Sequence, residues 1–167
     1  MSKPFIKSIV VAINGSQSSI QAAMYAISMA KNYKCKLYFV YVVDIATIDF
    51  LKKCNFLVSD ERTSYEQELT QNGNNYLSYV SNLAKTKGIN SEAILLKGSV
   101  PFEIINISDE KEADLIIIGG HQSKDAYIKT DSPKNIQANA RTEIVTYAHC
   151  PVLVVHNKNI EAQFKVL

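Results

Sequence analysis

The sequence predicts a doubly wound α/β domain: a parallel sheet of five strands with helices on both faces. Three observations carry that reading. Short unbroken apolar runs such as Ile9-Val10-Val11-Ala12-Ile13 and Leu115-Ile116-Ile117-Ile118 suit strands buried on both faces. Between them, apolar residues recur at helical spacing, leaving room for crossover connections. The alternation of the two patterns runs from end to end, which calls for right-handed crossovers and two covering layers.

The first strand lies between Lys7 and Ile13, and Asn14, Gly15 and Ser16 break it. Ile20, Ala23, Met24, Ile27 and Ala30 then mark a helix, with Ser16 or Ser18 suited to capping its start. Leu37 to Val43 reads as the second strand. From Asp44 to about Asp60 the periodicity is poor, and the expectation is a connection holding at most a short helix on Ile48, Phe50 and Leu51. A longer helix follows, with Tyr65, Leu69, Tyr76, Leu77, Val80, Leu83 and Ala84 on one face, Gly73 as a weak point and Gly88 as its stop.

Ala93 to Leu96 supplies a third strand, and Lys97, Gly98 and Ser99 are expected to turn the chain. Pro101 belongs in the first turn of the next helix, where a missing donor costs nothing, with Phe102, Ile104, Ile105 and Ile107 as its apolar side. That helix is expected to end in the polar run Ser108 to Glu112. The fourth strand, Leu115 to Ile118, stops at Gly119-Gly120. After a polar stretch from His121 to about Gln137, Ala140, Ile144, Val145 and Ala148 mark a last helix. Cys150 to Val155 forms the fifth strand, with Pro151 at its start. Residues 1–167 read as one domain with a core of about 5–156, and the tail 157–167 has no assigned structure.

Charge and cysteine usage narrow the function classes. Eighteen basic residues against 16 acidic ones leave no field of one sign to draw in nucleic acid or anionic lipid. Met1 to Ile6 lacks the apolar run of a signal peptide, and Ile9 to Ile13 is too short to span a membrane, so a cytoplasmic location is expected. Cys35, Cys54 and Cys150 read as reduced thiols, since they are odd in number and lack CxxC spacing. His121, His149 and His156 have no metal-ligand spacing, Ser16, Ser18 and Ser19 lack a GxSxG elbow, and no Walker loop occurs. No catalytic or metal-binding residue is assigned.

In a doubly wound sheet, ligands sit at the carboxyl ends of strands where the strand order reverses, which directs attention to the loops after Ile13, Val43 and Ile118. The segment Ile9-Val10-Val11-Ala12-Ile13-Asn14-Gly15-Ser16-Gln17-Ser18-Ser19 resembles the first strand and loop of the universal stress protein family, where an Asp usually stands at the Asn14 position. Leu37 to Asp44, Ala113 to Gly119 and Cys150 to Val155 are similar to that family's second, fourth and closing strands, in the right order.

The resemblance implies an adenine nucleotide α-hydrolase-like fold with strand order 3-2-1-4-5. It also implies a homodimer joined through the fifth strands at Val152, Leu153, Val154 and Val155. An apolar edge strand left bare is a hazard, so pairing with a twin is also expected on physical grounds; cover by the tail around Ile160 and Phe164 is the alternative.

ATP-binding members of the family carry GxxG, nine residues, then Gly and Ser or Thr after the fourth strand. Glycines there let the backbone approach phosphates, and helix-start amides hold the charge. Here Gly119 matches the first glycine, but Gln122 stands at the second, and Ala138-Asn139 stand where Gly-Ser would be. From Gly119 to Ala138 is 19 positions where the pattern has 13, so the loop is longer. With Asn14 in place of Asp, three departures coincide.

The resemblance nominates Asn14, Val42, Gly119, Gly120, Ala138, Asn139 and Ala140 as ligand-facing, with no cofactor or weak binding of ATP or another adenine nucleotide expected. Lys124, Lys129, Lys134 and Arg141 surround the long loop and offer charge to a phosphate without glycines. Two functional readings follow. One is a non-enzymatic stress-response regulatory protein with a degenerate nucleotide site that contacts a further protein partner. The other is an ATP-binding molecular switch using the long 120–137 loop.

Overall fold

In the computed structural model the described residues are 4–54, 59–120, 135–156 and 159–167. The parallel sheet consists of β1 (Ser8–Ile13), β2 (Lys36–Asp44), β3 (Ser91–Gly98), β4 (Leu115–Gly119) and β5 (Val152–Val155), in the order β3-β2-β1-β4-β5. β1 lies at the centre, paired through Ile9↔Leu37 on one side and Ile9↔Leu115 on the other. The Asp114 carboxylate fixes its start, accepting from the backbone N–H groups of Lys7 (2.7 Å) and Ser8 (3.1 Å).

Strand alternation divides the core into two layers. Ile9, Val11, Ile13, Leu37, Phe39 and Ile117 face α1 (Gln17–Tyr33) and α3 (Ser59–Thr86), whereas Val10, Val40, Ile116 and Ile118 face α4 (Val100–Glu110) and α5 (Asn135–Tyr147). Because successive side chains of a strand point to opposite faces, continuous apolar runs are what two covered faces require.

The helix boundaries follow local chemistry. Ser16 caps α1, its hydroxyl accepting from the Ser19 N–H, and Ala22, Ala23, Ala26, Ile27 and Ala30 are buried against the sheet. The connection after β2 holds a full short helix, α2 (Ile45–Lys53), capped by the Asp44 carboxylate and anchored by buried Ile48. α3 stops where Gly88 takes φ 74°, with the Ile89 N–H donating to the Ala84 carbonyl.

Gly73, which sequence marks as a weak point in α3, is a close-approach residue. A Cβ there would lie 2.5 Å from the Tyr41 ring, so glycine lets α3 settle onto β2.

Several boundaries differ from the sequence reading. β3 runs to Gly98, because its full length pairs with β2 up to Asp44↔Gly98 and tertiary pairing overrides the turn signal. α4 ends at Glu110, inside the polar run Ser108 to Glu112 as expected, and Ser108 is buried with its hydroxyl donating to the Ile105 carbonyl. Phe102, read as part of the apolar side of its helix, is exposed at 61%, and Val145, one of the residues that mark the last helix, at 51%.

The polar stretch ends earlier than expected, since α5 begins at Asn135; residues 121–134 of the 120–137 loop, with Lys124, Lys129 and Lys134, lie outside the described residues. The tail forms α6 (Ile160–Lys165), whose Ile160 and Phe164 are buried and whose Phe164 joins the α1-side core. α6 lies against α1, so the outer edge of β5 carries no further strand among the described residues. No helix among them is long and apolar enough to cross a membrane.

Candidate functional site

The strand order reverses beside β1, and a cavity of about 440 Å³ opens there, at the carboxyl ends of β1, β2 and β4. Its floor is apolar: Ala12, Ile13, Tyr41, Val42 and Ile118 from the strands, with Val100 and Ile104 from α4 and Ile144 from α5. Leu69 of α3 closes one side. Polar groups converge at its upper rim, where Asn14, Ser16, Ser18, Ser19, Asp44 and Arg141 meet the Gly119-Gly120 backbone. An apolar cleft of a few hundred Å³ with a small number of placed polar groups has the general form of a small-molecule site.

Each rim group has a local cause. Asn14 ends β1 and turns its side chain onto its own loop: its Oδ1 accepts from the Ser16 N–H (3.0 Å) and from the Ser16 hydroxyl (2.6 Å). This Asx turn shapes the entry to α1 and leaves Asn14 with less acceptor capacity than a carboxylate would have. The Ser19 hydroxyl is buried and donates to the Ser16 carbonyl at 2.8 Å.

Gly119 sits against α1, where a Cβ would meet the Ser18 backbone at 2.5 Å; Gly120 is covered by the His156 ring. The Asp44 carboxylate is held by the Thr47 N–H (3.0 Å) and hydroxyl (2.6 Å).

The aromatic wall is also electrostatically distinct. Tyr41 is buried, and its ring stacks with Tyr76 at a centroid distance of 6.4 Å and an interplanar angle of 17°. Burial pushes the Tyr41 phenol above its usual value of 10.0, and the neighbouring Tyr76 and Tyr65 phenols add to that. On the far side, burial pulls the Arg141 guanidinium below its ordinary range.

Of the residues nominated from sequence, the fold brings Asn14, Val42, Gly119, Gly120 and Ala140 together around this cavity. Asn139 lines an adjoining groove instead, with Phe50, Ser99, Pro101 and Glu143; the groove shares Asp44, Val100 and Ala140 with the cavity. Ala138 and Asn139 lie within α5, which starts three residues before Ala138, so they do not stand at a loop-to-helix junction as Gly-Ser of the pattern would. The Ala138 side chain lies outside the described ones. Sequence reading missed Tyr41, Asp44, Leu69, Val100, Ile104 and Ile144 as lining groups, because each also fits a strand, cap or core position.

A profile of the Universal stress protein family matches residues 6–156. The chain belongs to the universal stress protein family. A universal stress protein of Methanocaldococcus jannaschii is 30% identical over 152 residues, covering 89% of this chain and 81% of the relative. Among solved structures, a universal stress protein family member from Burkholderia pseudomallei superposes with a TM-score of 0.71 at 20% identity, covering 93% of this chain and all of that one. A family protein from Arabidopsis thaliana, solved with AMP bound, superposes with a TM-score of 0.62 at 16% identity, covering 92% and 94% of the two chains.

Proposed function

We propose that this chain is a stress-response regulatory protein whose cavity takes an adenine nucleotide loosely, without the glycine cradle of the family's ATP-binding members, and acts by binding rather than catalysis. The observation that carries the reading is the cavity itself: it stands at the switch point and keeps its apolar floor and its Gly119-Gly120 approach although the motif after β4 has diverged. The AMP-bound relative from Arabidopsis thaliana supports the ligand class.

Val42, Tyr41 and Leu69 offer apolar contact to a base. The regulatory output runs through a dimer and a further protein partner, with β5 as the self-pairing edge.

An amide-resolved NMR titration with AMP tests this. The Gly119 and Gly120 N–H signals are expected to shift together with Asn14 and Val42. Shifts confined to residues remote from the cavity, or none at millimolar AMP, would overturn the assignment.

A further inference from the structure

The cavity contains one cation among the described residues. Arg141 lines it from α5, and no other described Lys or Arg does. The ion pairs among the described residues join Arg62 to Asp49, Lys97 to Glu66, Lys111 to Glu92 and His149 to Asp109; Arg141 takes part in none of them. Its surroundings are half-buried, and burial pulls its pKa down.

A guanidinium withdrawn from water without a partner is a cost that an anion entering the cavity would relieve. Arg presents paired donors matched to phosphate geometry, and charge-assisted bonds of this kind are about twice as strong as neutral ones.

Negative charge also lines the path out of the cavity. Asp44 lines both the cavity and the adjoining groove, and Glu143 lines the groove beside Asn139. A chain of phosphates leaving the cavity along that groove would pass both carboxylates, whereas a single phosphate held within the cavity would meet Asp44 alone. Like-charge juxtaposition of this kind rejects a ligand more effectively than a missing contact does.

We propose that Arg141 is the phosphate-recognition residue of this chain, and that Asp44 and Glu143 restrict the site to a nucleoside monophosphate rather than a triphosphate. The inference rests on the reading that the cavity takes an adenine nucleotide. It assigns the part of that reading that the lost glycines leave unfilled: one side-chain charge replaces a cradle of backbone amides.

Calorimetric titrations of the wild-type chain, Arg141→Gln and Arg141→Lys with adenosine, AMP and ATP test the proposal. Wild type is expected to bind AMP more tightly than either adenosine or ATP. Arg141→Gln should weaken AMP roughly 10- to 100-fold, the loss of a charged hydrogen-bonding partner, while adenosine stays within about twofold. Arg141→Lys should recover part of the loss. The ligand-free melting temperature of Arg141→Gln should not fall, because the arginine has no ion-pair partner among the described residues to lose; a merely structural role would lower it.

Unchanged AMP affinity in Arg141→Gln overturns the proposal while leaving the nucleotide reading intact, and so does tighter binding of ATP than AMP by wild type. If wild type binds neither adenosine nor AMP, the nucleotide reading itself fails, and this inference fails with it.

Discussion

Gly119 and Gly120 are adjacent, and the same substitution in each should have different consequences. In Gly119→Ala the new Cβ would lie 2.5 Å from the Ser18 carbonyl carbon, 2.6 Å from its oxygen and 2.8 Å from its hydroxyl. Ordinary contact begins at 3.4 Å, so β4 and the first turn of α1 must part by up to about 0.9 Å. Backbone atoms flanked by a capped helix start and a central strand cannot swing aside, and overpacking of this kind costs about 1–3 kcal/mol.

For a chain of this size, a loss near 2 kcal/mol lowers the melting temperature by about 4–8 °C. In Gly120→Ala the Cβ meets the ring end of exposed His156, which can rotate away, so the loss should stay within about 0.5 kcal/mol. Urea unfolding of both variants followed by circular dichroism measures the difference. Equal losses, or a Gly119→Ala variant as stable as wild type, would refute the close packing of β4 on α1.

Other consequences are open to direct measurement. Phe164 is 6% exposed in the α1-side core, and the Lys87 ammonium stands 4.8 Å from its ring centre; Phe164→Ala should cost about 3 kcal/mol in urea unfolding, and a loss below about 1 kcal/mol would detach α6 from the core. The Tyr41 phenol has a folded pKa above its unfolded value of 10.0. Its contribution to stability is therefore fully present below pH 10 and is lost as pH rises through the folded value. Tyr41→Phe should flatten the alkaline fall in stability, and identical profiles for the two proteins would contradict this. Native mass spectrometry should find wild type at about twice the 18.6 kDa chain mass and Val154→Lys at the single-chain mass with unchanged circular dichroism; a monomeric wild type would remove the β5 edge as the pairing surface.

The sheet was legible because its strands are buried on both faces. Ile9 to Ile13 and Leu115 to Ile118 have no solvent side to blur the pattern, and the glycines after them mark where the strands stop. β3 was less so. Its burial is intermediate along most of its length, and pairing with β2 decides its ends through Asp44↔Gly98, a long-range fact with no local signature. α6 was missed for a similar reason: six residues with two apolar anchors carry little periodicity, and docking on α1 makes the helix.

The site was legible where a motif touches backbone, as at Gly119 and Gly120. It was hidden where lining residues serve another role as well. Tyr41 and Ile118 read as strand, Ile104 and Ile144 as helix, and Asp44 as the start of a connection, where the structure makes it a helix cap. Arg141 stood out only as a charge near a long loop. Its place on the cavity wall comes from α5 beginning at Asn135, three residues before Ala138, so that the second turn of the helix reaches the ends of β1 and β4.

The most direct test of the account is isothermal calorimetry of the wild-type chain with AMP, after denaturing a sample and identifying any released nucleotide by chromatography so that the titrated protein is known to be empty. The account predicts one AMP per chain with a dissociation constant of roughly 10 μM to 1 mM, about −7 to −4 kcal/mol. No saturable heat up to millimolar AMP from emptied, folded protein would contradict it, and the cavity at the ends of β1, β2 and β4 would then not be a nucleotide site.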